Sequence, residues 1–119
     1  MIRVLHTADI HLTPDDQERM DALRSLLDLA EQDDIDVVTI GGDLFDQPEN
    51  LEQLRTDLRN DLFSNRPFEI ILIPGNHDIE AYRGDVFFGD YCTVITEEPF
   101  GQWIAPDESL RITGLPYTE

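Results

Sequence analysis

Gly41-Gly42-Asp43-Leu44-Phe45-Asp46, preceded by Ile35-Asp36-Val37-Val38-Thr39-Ile40, is the stretch whose reading decides the fold. The leading run is short, rich in β-branched residues and closed by glycines, which is the pattern of a buried strand. A helical pattern begins near Pro48, so Asp43 falls on a loop between the carboxyl end of a strand and a helix. In open α/β sheets, ligands bind in the crevice outside those strand ends. Two further loops share the placement. Asp9 and His11 follow the run 2–6, and Asn76 and His77 follow the run 68–73.

Working outward, residues 2–6 read as a first strand. Thr13-Pro14-Asp15-Asp16 reads as a helix start, with a threonine cap, proline at the first position and acids in the first turn. Met20, Leu23, Leu26, Leu27 and Ala30 then recur at helical spacing to about Glu31. Strand 35–40 follows. Pro48 again suits a first helical position, and Leu51, Leu54, Leu58 and Leu62 mark a second helix ending at Arg66-Pro67. Strand 68–73 completes a βαβαβ unit with a parallel sheet and right-handed crossovers. Residues 81–88 read as a loop or one short helix near the site. Residues 91–96 and 110–113 read as later strands. No repeat, low-complexity tract or linker divides the chain, so residues 1–119 are expected to be a single domain.

The chain has 119 residues, 40% of them apolar, and clear periodicity, so it can bury a core and is not a disordered acidic tail. Its net charge of −18 comes from 26 acids against 8 bases, and every base is arginine. Such a balance suits either basic partners or a cytoplasm of molar salt. The acids are spread from Asp9 to Glu119, which favours salt adaptation. At about 1 M salt the Debye length is about 3 Å, so dense carboxylates hardly repel one another. An acidic surface argues against nucleic acid at ordinary salt, but in molar salt that argument loses most of its force. Cys92 is the single cysteine, which excludes an internal disulfide and fits a reducing compartment. With no apolar signal-peptide core and no 18-residue apolar span, a cytoplasmic protein without membrane contact is expected.

The chemistry lies in the three loops. Asp9 and His11 stand two apart, which places both on one side of an extended segment. Alone, they could be a turn cap and a surface histidine. Gly42 lets the backbone turn so that Asp43 projects, and a carboxylate can bridge two cations about 3.5–4 Å apart. The ordinary alternative is a helix-entry turn, with Asp46 as cap or as an acceptor behind the site. Pro74-Gly75-Asn76-His77-Asp78 could be a tight turn, although the Asn76 amide oxygen can ligate a metal. His6 reads as core or supporting, and Cys92 as a small buried hydrophobe. Together, two carboxylates, an imidazole and an amide beyond successive strands suit Mn²⁺, Fe or Zn²⁺.

Asp9-Ile10-His11, Gly42-Asp43-Leu44-Phe45-Asp46 and Gly75-Asn76-His77-Asp78 resemble the first three motifs of the calcineurin-like metallophosphoesterases. Leu5-His6-Thr7-Ala8-Asp9-Ile10-His11-Leu12, Pro48 and Ile112-Thr113-Gly114-Leu115-Pro116-Tyr117 bring the chain nearer to the SbcD-type DNA repair nucleases, a resemblance running from residue 2 to about 117. It implies the first half of an αββα sandwich and two divalent ions, usually Mn²⁺. Asp9 and His11 would hold the first ion, Asp43 would bridge, Asn76 would hold the second, and His77 would assist the departing oxygen. It also implies DNA as substrate and an SbcC-type ATPase as partner. Thr13 stands where that branch usually has glycine. The family completes its site with three more histidines, two of them in a Gly-His-x-His motif, whereas the histidines here are His6, His11 and His77. The resemblance therefore predicts the N-terminal portion of such a domain: a fragment, a naturally split or shortened protein, or a chain completed by a homodimer partner or further chain. Two other functions fit: a phosphoesterase of the same superfamily acting on a nucleotide or small phosphoester, and a metal-poor remnant serving as a binding or structural module.

Overall fold

The computed structural model describes residues 1–84 and 86–118. Its main sheet has four parallel strands in the order β1 (Val4–Thr7), β2 (Val37–Gly41), β3 (Glu69–Ile73), β4 (Cys92–Val94). Helix α1 (Gln17–Gln32) joins β1 to β2. Helix α2 (Asn50–Asp57) continues into a π-helical turn, Leu58–Leu62, before β3. Because the strands are laid down in sequence order, right-handed crossovers place both helices on one face. The contacts bear this out. Val38, Ile40, Ile70 and Leu72 point to that face and share a core with Leu23, Leu27, Leu51, Leu54, Leu58 and Leu62. The alternate residues Val37 and Ile71 point the other way and join Ile95, with Trp103 and Ile112 packed on them. Those last two belong to an antiparallel hairpin, β5 (Gly101–Ile104) and β6 (Arg111–Gly114). This α/β architecture is compatible with the first half of the αββα sandwich that the resemblance implies.

Both helices begin later than the sequence suggested. Asp16, not Thr13, caps α1, its carboxylate accepting from the Arg19 N–H at 3.1 Å. Thr13–Asp16 is a turn closed by the Asp16 N–H on the Thr13 carbonyl. Gln47–Asn50 is a second one, closed in the same way. Each proline sits just after the first residue of its turn, a position its fixed φ suits as well as it suits the start of a helix. The leucine stripe of the second helix is buried as expected, but through a π turn. The Phe63 N–H reaches back five residues to the Leu58 carbonyl, which leaves Leu58 and Leu62 fully buried. The strands match their expected positions to within a few residues, and β5 is an additional one. Residues 79–82 form a 3₁₀ turn. Asp85, within the stretch expected to be loop or short helix, and Glu119, the last residue of the expected domain, lie outside the described residues. No helix among the described residues is long and apolar enough to cross a membrane.

Candidate metal centre

The loops beyond β1, β2 and β3 are stitched together by their own backbones. The Asp9, His11 and Leu12 N–H groups donate to the carbonyls of Gly42, Asp43 and Leu44 at 2.8–3.0 Å, and Asp46 returns a bond to Leu12. Leu12 and Phe45, both fully buried, anchor this extension in the core. Gly42 donates to the Ile73 carbonyl at 2.7 Å, which ties in the third loop.

This stitching holds Asp9, His11 and Asp43 in left-handed conformations, with φ of 56°, 55° and 51°. Non-glycine residues seldom adopt that region, and when they do the surroundings must enforce it. Asp34, Asn65 and Glu108 adopt the same region singly in separate turns, whereas these three lie on adjacent loops. Ligand atoms of Asp9, His11 and Asp43 all lie within 4.8 Å of one another. Asp43 is buried and Asp9 exposed. Asp9, Asp43 and Asn76 line one open cleft, walled on the far side by Thr113–Leu115 and Tyr117.

Asp46, expected as a cap or as an acceptor behind the site, does not cap α2 but lies against both histidines. Its carboxylate Oδ1 lies 3.2 Å from His11 Nδ1, and its backbone carbonyl accepts from His77 Nδ1 at 3.1 Å. The His11 and His77 rings meet edge to face at 5.0 Å. A second set of metal-ligating atoms, from His11, Asp46 and His77, is thereby brought within the same 4.8 Å. The signal available in the sequence was the three-residue step from Asp43 to Asp46, which cannot show which way the loop turns. His6 is neither core nor part of this cluster. It is exposed on β1, with Nδ1 2.7 Å from Thr39 Oγ1.

Asp78 closes the arrangement from below. It is fully buried, and its carboxylate accepts from the Gly75 N–H at 2.8 Å and the Phe45 N–H at 3.2 Å. Burial pushes its carboxyl above the usual range. The nearby Asp43 charge adds to that, against the opposing effect of the backbone N–H groups.

Two observations show that these residues fit a cation. Among the described residues, His11 Nδ1 is the one buried side-chain polar atom without a hydrogen-bond partner, its nearest acid being Asp46 Oδ1 at 3.2 Å. Such an atom is costly unless something else satisfies it. The donors are carboxylate, imidazole and amide oxygen, a set matched to Mn²⁺, Fe or Zn²⁺. A bound cation would also relieve the crowding of Asp9, Asp43 and Asp46.

Fold and site together define a candidate metal centre at the strand ends of a parallel α/β sheet. A family model described as calcineurin-like phosphoesterase matches residues 2–115, and the chain belongs to that family. Metal-dependent hydrolysis of phosphoesters is the chemistry that membership carries.

Proposed function

We propose that this chain is the N-terminal portion of a two-metal phosphodiesterase domain that cleaves DNA, in the manner of the SbcD-type nucleases. The observation that carries the reading is the convergence of Asp9, His11 and Asp43, with Asn76 in the same cleft. In it, Asp9, His11 and Asp43 would hold a first ion and Asp43 with Asn76 a second, Mn²⁺ being the favoured metal. Bound ions supply Lewis acidity to the phosphoryl oxygens and lower the pKa of water. His77 serves the departing oxygen. The Asp46 carbonyl can only accept, so it fixes the proton on His77 Nδ1, and any proton given to a leaving group is carried on Nε2. Leu115 and Tyr117, 71% and 42% exposed beside the ligands, offer an apolar wall to a base or sugar.

Asp43 and Asn76 alone would hold a second ion loosely, because a catalytic metal needs enough ligands to keep its geometry around one open position. Completion by further chain or by a second copy, and association with an SbcC-type ATPase, belong to the same proposal. So does a salt-rich cytoplasm, supported by the −18 charge and the absence of lysine. A small phosphoester is the second reading, favoured because no arginine is among the residues lining the cleft.

The test is cleavage of a labelled DNA duplex with Mn²⁺ in high salt, beside a small chromogenic phosphodiester. The 119-residue chain should bind Mn²⁺ weakly and cut little, and the completed protein should cut DNA. In the completed protein Asp43→Ala should abolish turnover, and His77→Ala should lower it while sparing metal binding. Robust cutting by the short chain alone would refute the proposed ligand requirement. Hydrolysis of the small ester without DNA cleavage would favour the second reading.

A further inference from the structure

A fully buried carboxylate usually pairs with a cation, because an isolated buried charge is costly. Asp78 has no arginine or histidine partner among the described residues, and its acceptors are spent on backbone N–H groups of two different loops. One oxygen holds Gly75 within its own loop, and the other crosses to Phe45 in the 42–46 loop. Asp43 makes the reciprocal crossing, its Oδ1 accepting from the His77 N–H at 2.8 Å. Between the two carboxylates Gly75 lies so close that an added Cβ would overlap the Asp43 carboxylate and sit 2.7 Å from its backbone nitrogen. The loops are thus interlocked by two carboxylates running in opposite directions. Asp43 opens on the cleft, whereas Asp78 does not line it.

We infer that Asp78 is a positioning residue, whose carboxylate sets the span between the Asp43 and Asn76 loops before any ion arrives. This rests on the metal-centre reading above. The benefit is preorganisation: a ligand set already held apart at the right distance loses less freedom when the ion binds. Hydrophobic packing alone would not require a carboxylate here. An amide of the same shape would fill the space equally well, but it would turn an NH₂ group toward one of the two N–H donors.

Asp78→Asn is therefore the variant of choice, with Mn²⁺ affinity measured by calorimetry well below the melting temperature and circular dichroism as the check on folding. A folded Asp78→Asn protein should bind Mn²⁺ at least about tenfold more weakly than wild type, the range seen when partners behind metal ligands are lost. A role in stability alone would lower the melting temperature and leave that affinity unmoved, which would overturn the inference. A second measurement needs no variant. In metal-free wild-type protein the Gly75 and Phe45 amides should be protected from hydrogen exchange, and exchange at open-loop rates would also overturn it. Wild-type protein that binds no Mn²⁺ would instead refute the metal-centre reading, while slow amides in the same sample would still support the interlock.

Discussion

No side chain fits at position 75, where even a methyl group would collide with the Asp43 carboxylate. Gly75→Ala should accordingly displace Asp43 and destabilise the fold by about 1–3 kcal/mol, as overpacking typically does. Urea denaturation and a Mn²⁺ titration check the two halves of that statement, and a Gly75→Ala variant matching wild type in both would contradict it. Cys92 offers a different check. It is partly buried against the core, and burial, aided by the Glu69 charge, pushes its thiol up to about 12. Burial also raises Tyr82 well above its ordinary value. Both are acids that hold their protons longer in the folded state, so the unfolded chain ionises first as pH rises. Their contribution is fully present below about pH 8 and is lost progressively between the ordinary values near 8.5 and 10 and the raised folded ones. Urea midpoints should fall from about pH 8 to about pH 10.5, and Cys92→Ala should flatten the fall. A slope unchanged by that substitution would count against the assignment. At neutral pH the native thiol should alkylate far more slowly than the unfolded one.

At the scale of elements, β-branched runs located β1, β2 and β3, the last two closed by glycine or proline, and leucine spacing located both helices. What periodicity could not decide was the use of Pro14 and Pro48, since one fixed φ serves a turn and a helix start alike. Asp16 displaced Thr13 as cap because residues 13–16 close a turn of their own, so the helical N–H that needs a side-chain acceptor is that of Arg19, within reach of Asp16. Strand β5 gave no signal because its four residues around Trp103 carry too little alternation to stand out, whereas its partner β6 falls where residues 110–113 read as a strand. The site divided in the same way. Asp9, His11, Asp43 and Asn76 are readable because each follows a strand, while the parts played by Asp46 and Asp78 depend on which backbone groups the loops turn toward each other. The hairpin covers the β2–β3 side of the face opposite the helices. Val4 on β1, 46% exposed, and Ile2, 36% exposed, remain uncovered on an unpaired edge. Such an edge invites pairing. Oligomerisation or marginal stability is expected by sedimentation, and a monodisperse monomer with a high melting temperature would argue for a self-sufficient small fold.

For the molecule as a whole, charge is the dominant quantity. At −18 over 119 residues, self-repulsion must be held off by screening or by bound cations. The ion pairs Arg66–Asp28, Arg66–Glu31 and Arg24–Asp61 bind α1 to the segment around the π turn, but the acids in them are half exposed and contribute modestly. Structure should therefore be lost as salt falls from molar to about 0.05 M, where the Debye length exceeds about 10 Å. Circular dichroism that stays constant over that range would remove the case for salt adaptation. The central claim, that the interlocked loops form a metal centre, is tested most directly by titrating Mn²⁺ into wild-type and Asp43→Ala protein in molar salt by calorimetry. The account predicts saturable, weak binding by the wild type that disappears in the variant. No saturable heat in the wild type, or the same isotherm in both, would contradict it.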